Sequence, residues 1–146
     1  GNVTGWGVVG GLAGFNDSGT ISNAHATGNV TGIEGVGGLL GVNQGIISNV
    51  YATGSVAGDE NIGGLVGTNS SSTANNDASI LSAYATGSVS GSDYVGGLAG
   101  QNGGSISNAY ATGNVTGNNS VGGLVGDSGS GSITKDPRPA STTASV

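Results

Sequence analysis

The chain contains no cysteine, which excludes a disulfide framework and any thiolate metal site. Its stability must come from elsewhere, as in secreted proteins that rely on stacking, although a reduced compartment fits equally well. Methionine is absent too, and the sequence starts at Gly1. This matches a processed form or an excised segment, so the lack of a signal peptide carries no information on secretion. Positive charge is almost missing: Lys135 and Arg138 are the only basic residues, and the net charge is −6. No basic patch can form for phosphates, and nucleic acid is not an expected partner. Charged residues make up 7% of the chain, where about 25% is usual. No apolar run approaches the roughly 18 residues of a membrane-crossing helix, so no membrane insertion by this segment is expected. Proline occurs twice, at Pro137 and Pro139.

Glycine, by contrast, supplies 33 of the 146 residues. It lacks the strict triplet period of collagen, and at this density it opposes helix formation. Disordered chains are charged and poor in β-branched residues, whereas Val, Ile and Thr recur here at fixed places. The pattern indicates order.

Internal repetition is the main signal. A first block reads VGGLAG (Val9–Gly14), VGGLLG (Val36–Gly41), IGGLVG (Ile62–Gly67), VGGLAG (Val95–Gly100) and VGGLVG (Val121–Gly126). Four of these lead to a second block: ISNAHATGNVTG (Ile21–Gly32), ISNVYATGSVAG (Ile47–Gly58), ILSAYATGSVSG (Ile80–Gly91) and ISNAYATGNVTG (Ile106–Gly117). Successive Gly-Gly pairs lie 27, 26, 33 and 26 residues apart. The length variation sits between the blocks, with a longer loop over Thr68–Ser79 in the third repeat. A fixed core with one variable edge implies one structural unit per repeat. No segment shows a 3.6-residue period. The spacing therefore predicts an all-β, glycine-rich β-solenoid of about five coils, one repeat of 26–33 residues per coil. Repeat units fall at about 6–32, 33–58, 59–91, 92–117 and a partial 118–133, and 134–146 is expected to be a flexible tail or linker. Val30, Val56, Val89 and Val115 should form one inward column, and Leu12, Leu39, Leu65, Leu98 and Leu124 another.

These two blocks resemble the GLUG motif, a repeat of bacterial extracellular and adhesin-like proteins. The resemblance covers nearly the whole chain up to about Ile133. It implies a surface or secreted repeat region, sometimes attached to an enzyme domain elsewhere, and it brings no catalytic residue to carry over. The departures are His25, where the other repeats have tyrosine, and a fifth repeat without its ATGxVxG half.

Candidate sites are few. His25, Tyr51, Tyr84 and Tyr110 share one column and are expected to form an aromatic ladder. A single histidine without a carboxylate in its block makes a poor ligand set or general base, so no catalytic residue, metal or cofactor is assigned. Glu34, Glu60 and Asp93 stand two residues before the hydrophobic residue of successive GGL blocks. This acidic column suggests weak calcium binding or a glycosidase carboxylate pair, but calcium wants six or more oxygens, and a solvated turn row explains it more simply. Beside the valine column lie Thr27, Thr53, Thr86 and Thr112; Asn29, Ser55, Ser88 and Asn114; and Thr31, Ala57, Ser90 and Thr116. Strand alternation places these rows on one outward, uncharged face, which resembles the flat surface of Thr-rich ice-binding solenoids.

The expected function is a non-enzymatic structural or adhesive module, extracellular or at the cell surface, with cell-surface or matrix glycans or further copies of itself as partners. An accessory region of a secreted degradative enzyme is a further alternative. The opening GNVTG (Gly1–Gly5) matches the close of a repeat, and Val121–Ile133 is the opening half of one. Two molecules could thus complete one coil head-to-tail and grow into a fibre, unless Trp6 and Phe15 cap the first repeat.

Overall fold

The computed structural model describes residues 1–74 and 78–134. Every regular element among them is a strand, and every pairing is parallel and joins one repeat to the next. The chain winds through four sheets per coil, giving five coils. Sheet I contains Val3–Thr4, Val30–Thr31, Val56–Ala57, Val89–Ser90 and Val115–Thr116. Sheet II contains Val9–Gly10, Glu34–Gly37, Glu60–Gly63, Asp93–Gly96 and Asn119–Gly122. Sheet III contains Ala13–Asn16, Leu40–Asn43, Val66–Asn69, Ala99–Asn102 and Val125–Asp127. Sheet IV contains Thr20–Ser22 with His25–Ala26, then Ile46–Ala52, Ser79–Ala85, Ser105–Ala111 and Ser132–Thr134.

The columns read from the repeats are the register of these sheets. Val3, Val30, Val56, Val89 and Val115 pair in series. The inside is divided into two cores. One lies between sheets I and II and consists of Val9, Val30, Val36, Val56, Ile62, Val89 and Val95. The other lies between sheets III and IV and includes Leu39, Leu40, Ile47, Val50, Leu65, Ile80 and Leu98. Burying each such side chain stabilises by about 1.5–3 kcal/mol.

The Gly-Gly-Leu-x-Gly block explains why there are two cores. Sheets II and III meet through glycine, backbone on backbone. A Cβ added at Gly67 would stand 2.6 Å from Gly35 C, 2.6 Å from Gly41 O and 2.7 Å from Val36 N. Gly100 and Gly126 repeat this contact one and two coils on. Beyond the first coil, where Val8 lies against Gly41, no side chain fits in that layer, so the buried apolar residues of the two cores lie on the outer faces of the pair.

Sheet IV carries a second device. Asn23, Asn49, Ser82 and Asn108 have φ of 54°, 53°, 50° and 52°, the left-handed region that asparagine tolerates best among residues with a side chain. In Ile46–Ala52 this residue resets the two-residue alternation. Ile47, Val50 and Ala52 all face inward, and Tyr51 is left on the outside.

Three details differ from the sequence reading. The third-repeat insertion is shorter than Thr68–Ser79, because Thr68, Asn69 and Ser79 lie in paired strands; it spans 70–78, and 75–77 fall outside the described residues. Thr134 belongs to the last strand of sheet IV, and the rest of the expected tail, 135–146, also lies outside them. Leu12 donates from its backbone to Leu39 O at 2.9 Å, in step with its column, but its side chain is 49% exposed because it lies on the first coil. In the same register Val3–Thr4 is the sheet I strand of coil one, and Ser132–Thr134 continues sheet IV in coil five.

Candidate functional site

The outer surface is a set of columns, one residue per coil. His25, Tyr51, Tyr84 and Tyr110 stack ring on ring, with centroids 4.8, 4.9 and 5.2 Å apart and interplanar angles of 5°, 1° and 8°. The expected ladder is therefore continuous from coil one to coil four. The three tyrosines are half-buried. Desolvation within the stack raises the Tyr84 phenol above its usual value, and the neighbouring Tyr51 and Tyr110 add to the rise.

The Thr, Ser and Asn rows are also in register, but not on one plane. Thr31, Ala57, Ser90 and Thr116 pair across sheet I. Thr31, Ser90 and Thr116 are exposed. Thr27, Thr53, Thr86 and Thr112 are exposed too, but they stand on the far side of a bend at Gly28 and its equivalents. The bend requires glycine, since a Cβ at Gly54 would collide with Gly28 O of the coil before. In the middle row two asparagines are engaged from coil to coil: Asn2 Oδ1 accepts from Asn29 N at 3.0 Å, and Asn29 Oδ1 accepts from Ser55 N at 2.9 Å. Ser55 and Ser88 continue the row, which ends at Asn114 in the fifth coil.

Glu34, Glu60 and Asp93 pair in register on sheet II. The column continues to Asn119, whose Nδ2 donates to Asp93 Oδ1 at 2.6 Å. Among the described residues no three His, Cys, Asp or Glu side chains converge on one point. The carboxylates stack along the axis, one per coil.

One ladder escaped the sequence reading. Asn16, Asn43, Asn69 and Asn102 are buried, and each Nδ2 donates to Oδ1 of the next at 2.8, 2.9 and 2.8 Å. Asn43 also closes the turn from sheet III to sheet IV, donating to Gly45 O at 2.9 Å and accepting from Gly45 N at 3.3 Å. The signal was present as GFN, GVN, GTN and GQN at constant distance behind each Gly-Gly pair, with GDS in the fifth repeat.

Two further columns change character along the axis. Phe15, Val42, Thr68, Gln101 and Asp127 pair in series. Ile33, Asp59, Ser92 and Asn118 are linked by backbone hydrogen bonds of 2.8–2.9 Å, with Trp6 at the equivalent place in the first repeat. Trp6 is 86% exposed and Phe15 49%. Among the described residues no helix is long and apolar enough to cross a membrane.

Parallel coils in fixed register, with side-chain ladders inside and out, define the class: a β-solenoid. The GLUG motif matches residues 7–31, 32–57 and 91–116, just over half of the chain. The chain belongs to that family. The repeat between these matches carries the insertion and has Leu81-Ser82 where the others have Ser-Asn, yet its strands keep the common register. No curated protein and no solved structure gives a significant match to the chain.

Proposed function

We propose that the chain is a non-enzymatic structural and adhesive module of an extracellular or cell-surface protein. The observation that carries this reading is how the polar side chains are used. Asparagines bond from coil to coil, aromatic rings stack, and carboxylates align in a row. Each repeated residue contacts its own equivalent, whereas catalysis needs unlike groups converging on a reacting atom. A stack of coils with one residue of each row per coil suits spacing and repetitive, low-affinity contact with glycans. Incubation with polysaccharide and peptide substrates should give no turnover above background, and glycan arrays should show multivalent binding. Sustained turnover by the purified chain refutes the reading.

Growth into a fibre is part of the proposal. The sheet I strand Val3–Thr4 of one copy would stack on Val115–Thr116 of another, completing the turn that Asn119–Gly122, Val125–Asp127 and Ser132–Thr134 begin. Val3 N and Gly5 N donate to Asn29 O and Thr31 O of coil two, so the backbone groups of Thr4 point away from the stack. In the same column Asn114 could accept from Asn2 N of a second copy, as Asn2 accepts from Asn29 N. Light scattering should show growth with concentration, and Thr4→Pro should suppress it while sparing the bonds to coil two. Strictly monomeric behaviour at high concentration removes the fibre without touching the module.

Ice binding is the second reading, favoured by the exposed Thr27, Thr53, Thr86 and Thr112 row at one residue per coil. Thermal hysteresis that disappears in Thr86→Tyr supports it. Absence of hysteresis at high concentration eliminates it.

A further inference from the structure

We infer that the tyrosine column is a site of oxidative cross-linking, in which a haem peroxidase with hydrogen peroxide joins two stacked tyrosines as dityrosine. Tyr51, Tyr84 and Tyr110 lie in three successive coils, with ring centroids 4.9 and 5.2 Å apart and planes within 8°. Strand register holds them there, since Tyr84 pairs with Tyr51 on one side and Tyr110 on the other. The left-handed residue two positions before each ring turns it outward, to half-exposed positions that a diffusible oxidant can reach.

The chemistry needs two phenoxyl radicals adjacent. Each phenol gives up one electron and its hydroxyl proton to the peroxidase. The two radicals form a carbon–carbon bond between Cε atoms, and the displaced ring hydrogens move to the oxygens to restore both phenols. The sum is hydrogen peroxide plus two tyrosines giving one dityrosine and two waters. A radical formed on any of the three rings has a tyrosine on at least one face, so a single encounter need not find a particular residue. The centroid spacing leaves a ring room to tilt toward its neighbour. Tyr51 and Tyr110 are two coils apart, about 10 Å at one strand spacing per coil, so Tyr84 is required in any cross-link within one chain. Tyr94, the remaining tyrosine, lies in sheet II outside the stack. The product would tie neighbouring coils covalently in a chain that has no cysteine to do so.

The test treats the chain of residues 1–146, dilute, with a haem peroxidase and hydrogen peroxide, then reads dityrosine fluorescence, intact mass and cross-linked peptides. The monomer is expected to lose two hydrogens, to yield peptides joining Tyr51 to Tyr84 or Tyr84 to Tyr110, and to unfold at a higher temperature. Tyr94→Phe should behave as the parent, and Tyr110→Phe should keep the Tyr51–Tyr84 product. Tyr84→Phe retains a ring in the column and should reduce dityrosine in the monomer to background. The inference is overturned if Tyr84→Phe still forms it, if Tyr94→Phe abolishes it, if dityrosine occurs only in cross-linked dimers, or if oxidation appears only as oxygen added at Trp6.

Discussion

Asn43 Nδ2 donates to Asn69 Oδ1 at 2.9 Å across 26 residues of sequence, and both side chains are fully buried. A buried amide is tolerated only when its donors and acceptor are met, and here the next coil supplies the partner. Asn69→Ala should remove a member from the middle of the ladder, leaving Asn43 Nδ2 short of one acceptor and Asn102 Oδ1 without its donor. The expected loss is about 2–3 kcal/mol in urea unfolding. Ser128 holds the equivalent place in coil five, and Ser128→Asn should extend the ladder with a gain of about 1 kcal/mol.

The glycine layer makes a sharper demand. A methyl group at Gly67 would meet backbone atoms of Gly35, Val36 and Gly41, which cannot move without separating sheets II and III. Gly67→Ala should cost at least about 3 kcal/mol or prevent folding. Gly7→Ala meets nothing within 4 Å and serves as the control, with a thermal midpoint close to that of the parent.

Alkaline stability should depend on the tyrosine stack. The folded chain raises the Tyr84 phenol above its ordinary value near 10, so it holds that proton more tightly than the unfolded chain does. By linkage this stabilisation is complete below about pH 10 and is lost as pH rises through the higher folded value. The thermal midpoint should therefore fall above pH 10, and Tyr84→Phe should shallow the fall. An unchanged slope in that variant contradicts the assignment.

The period, the coil count and the valine column were legible because a solenoid turns sequence spacing directly into contact. Tyr51 and Tyr84 stack because they occupy the same place in two repeats, and nothing further is needed to know it. What stayed hidden depends on the path within a coil. Asn43 lies between the two repeated blocks, and only the sheet III to sheet IV corner reveals that it points inward. Thr27 and Asn29 look like alternate positions of one strand, until the bend at Gly28 separates them. Leu12 has the sequence of a core residue, and its exposure follows from its place on coil one, which no spacing encodes.

The acidic column carries a repulsion that one substitution relieves. Glu34, Glu60 and Asp93 are register partners on sheet II, and like charges directly opposite one another across strands are destabilising. Coil five shows how the repulsion can be relieved, with Asn119 Nδ2 donating to Asp93 Oδ1 at 2.6 Å. Glu60→Asn removes the central charge, and with it both repulsive contacts, and its Nδ2 can donate to one of the two neighbouring carboxylates. The expected gain is about 0.5–1 kcal/mol at low ionic strength, shrinking in high salt as the parent's repulsion is screened. Calcium separates this account from a metal site. If the column only repels, millimolar calcium should act on the parent no more than an equal ionic strength of sodium chloride does. A larger calcium-specific rise in thermal midpoint, lost in Glu60→Asn, would show that the three carboxylates hold the ion and that their alignment is a binding site.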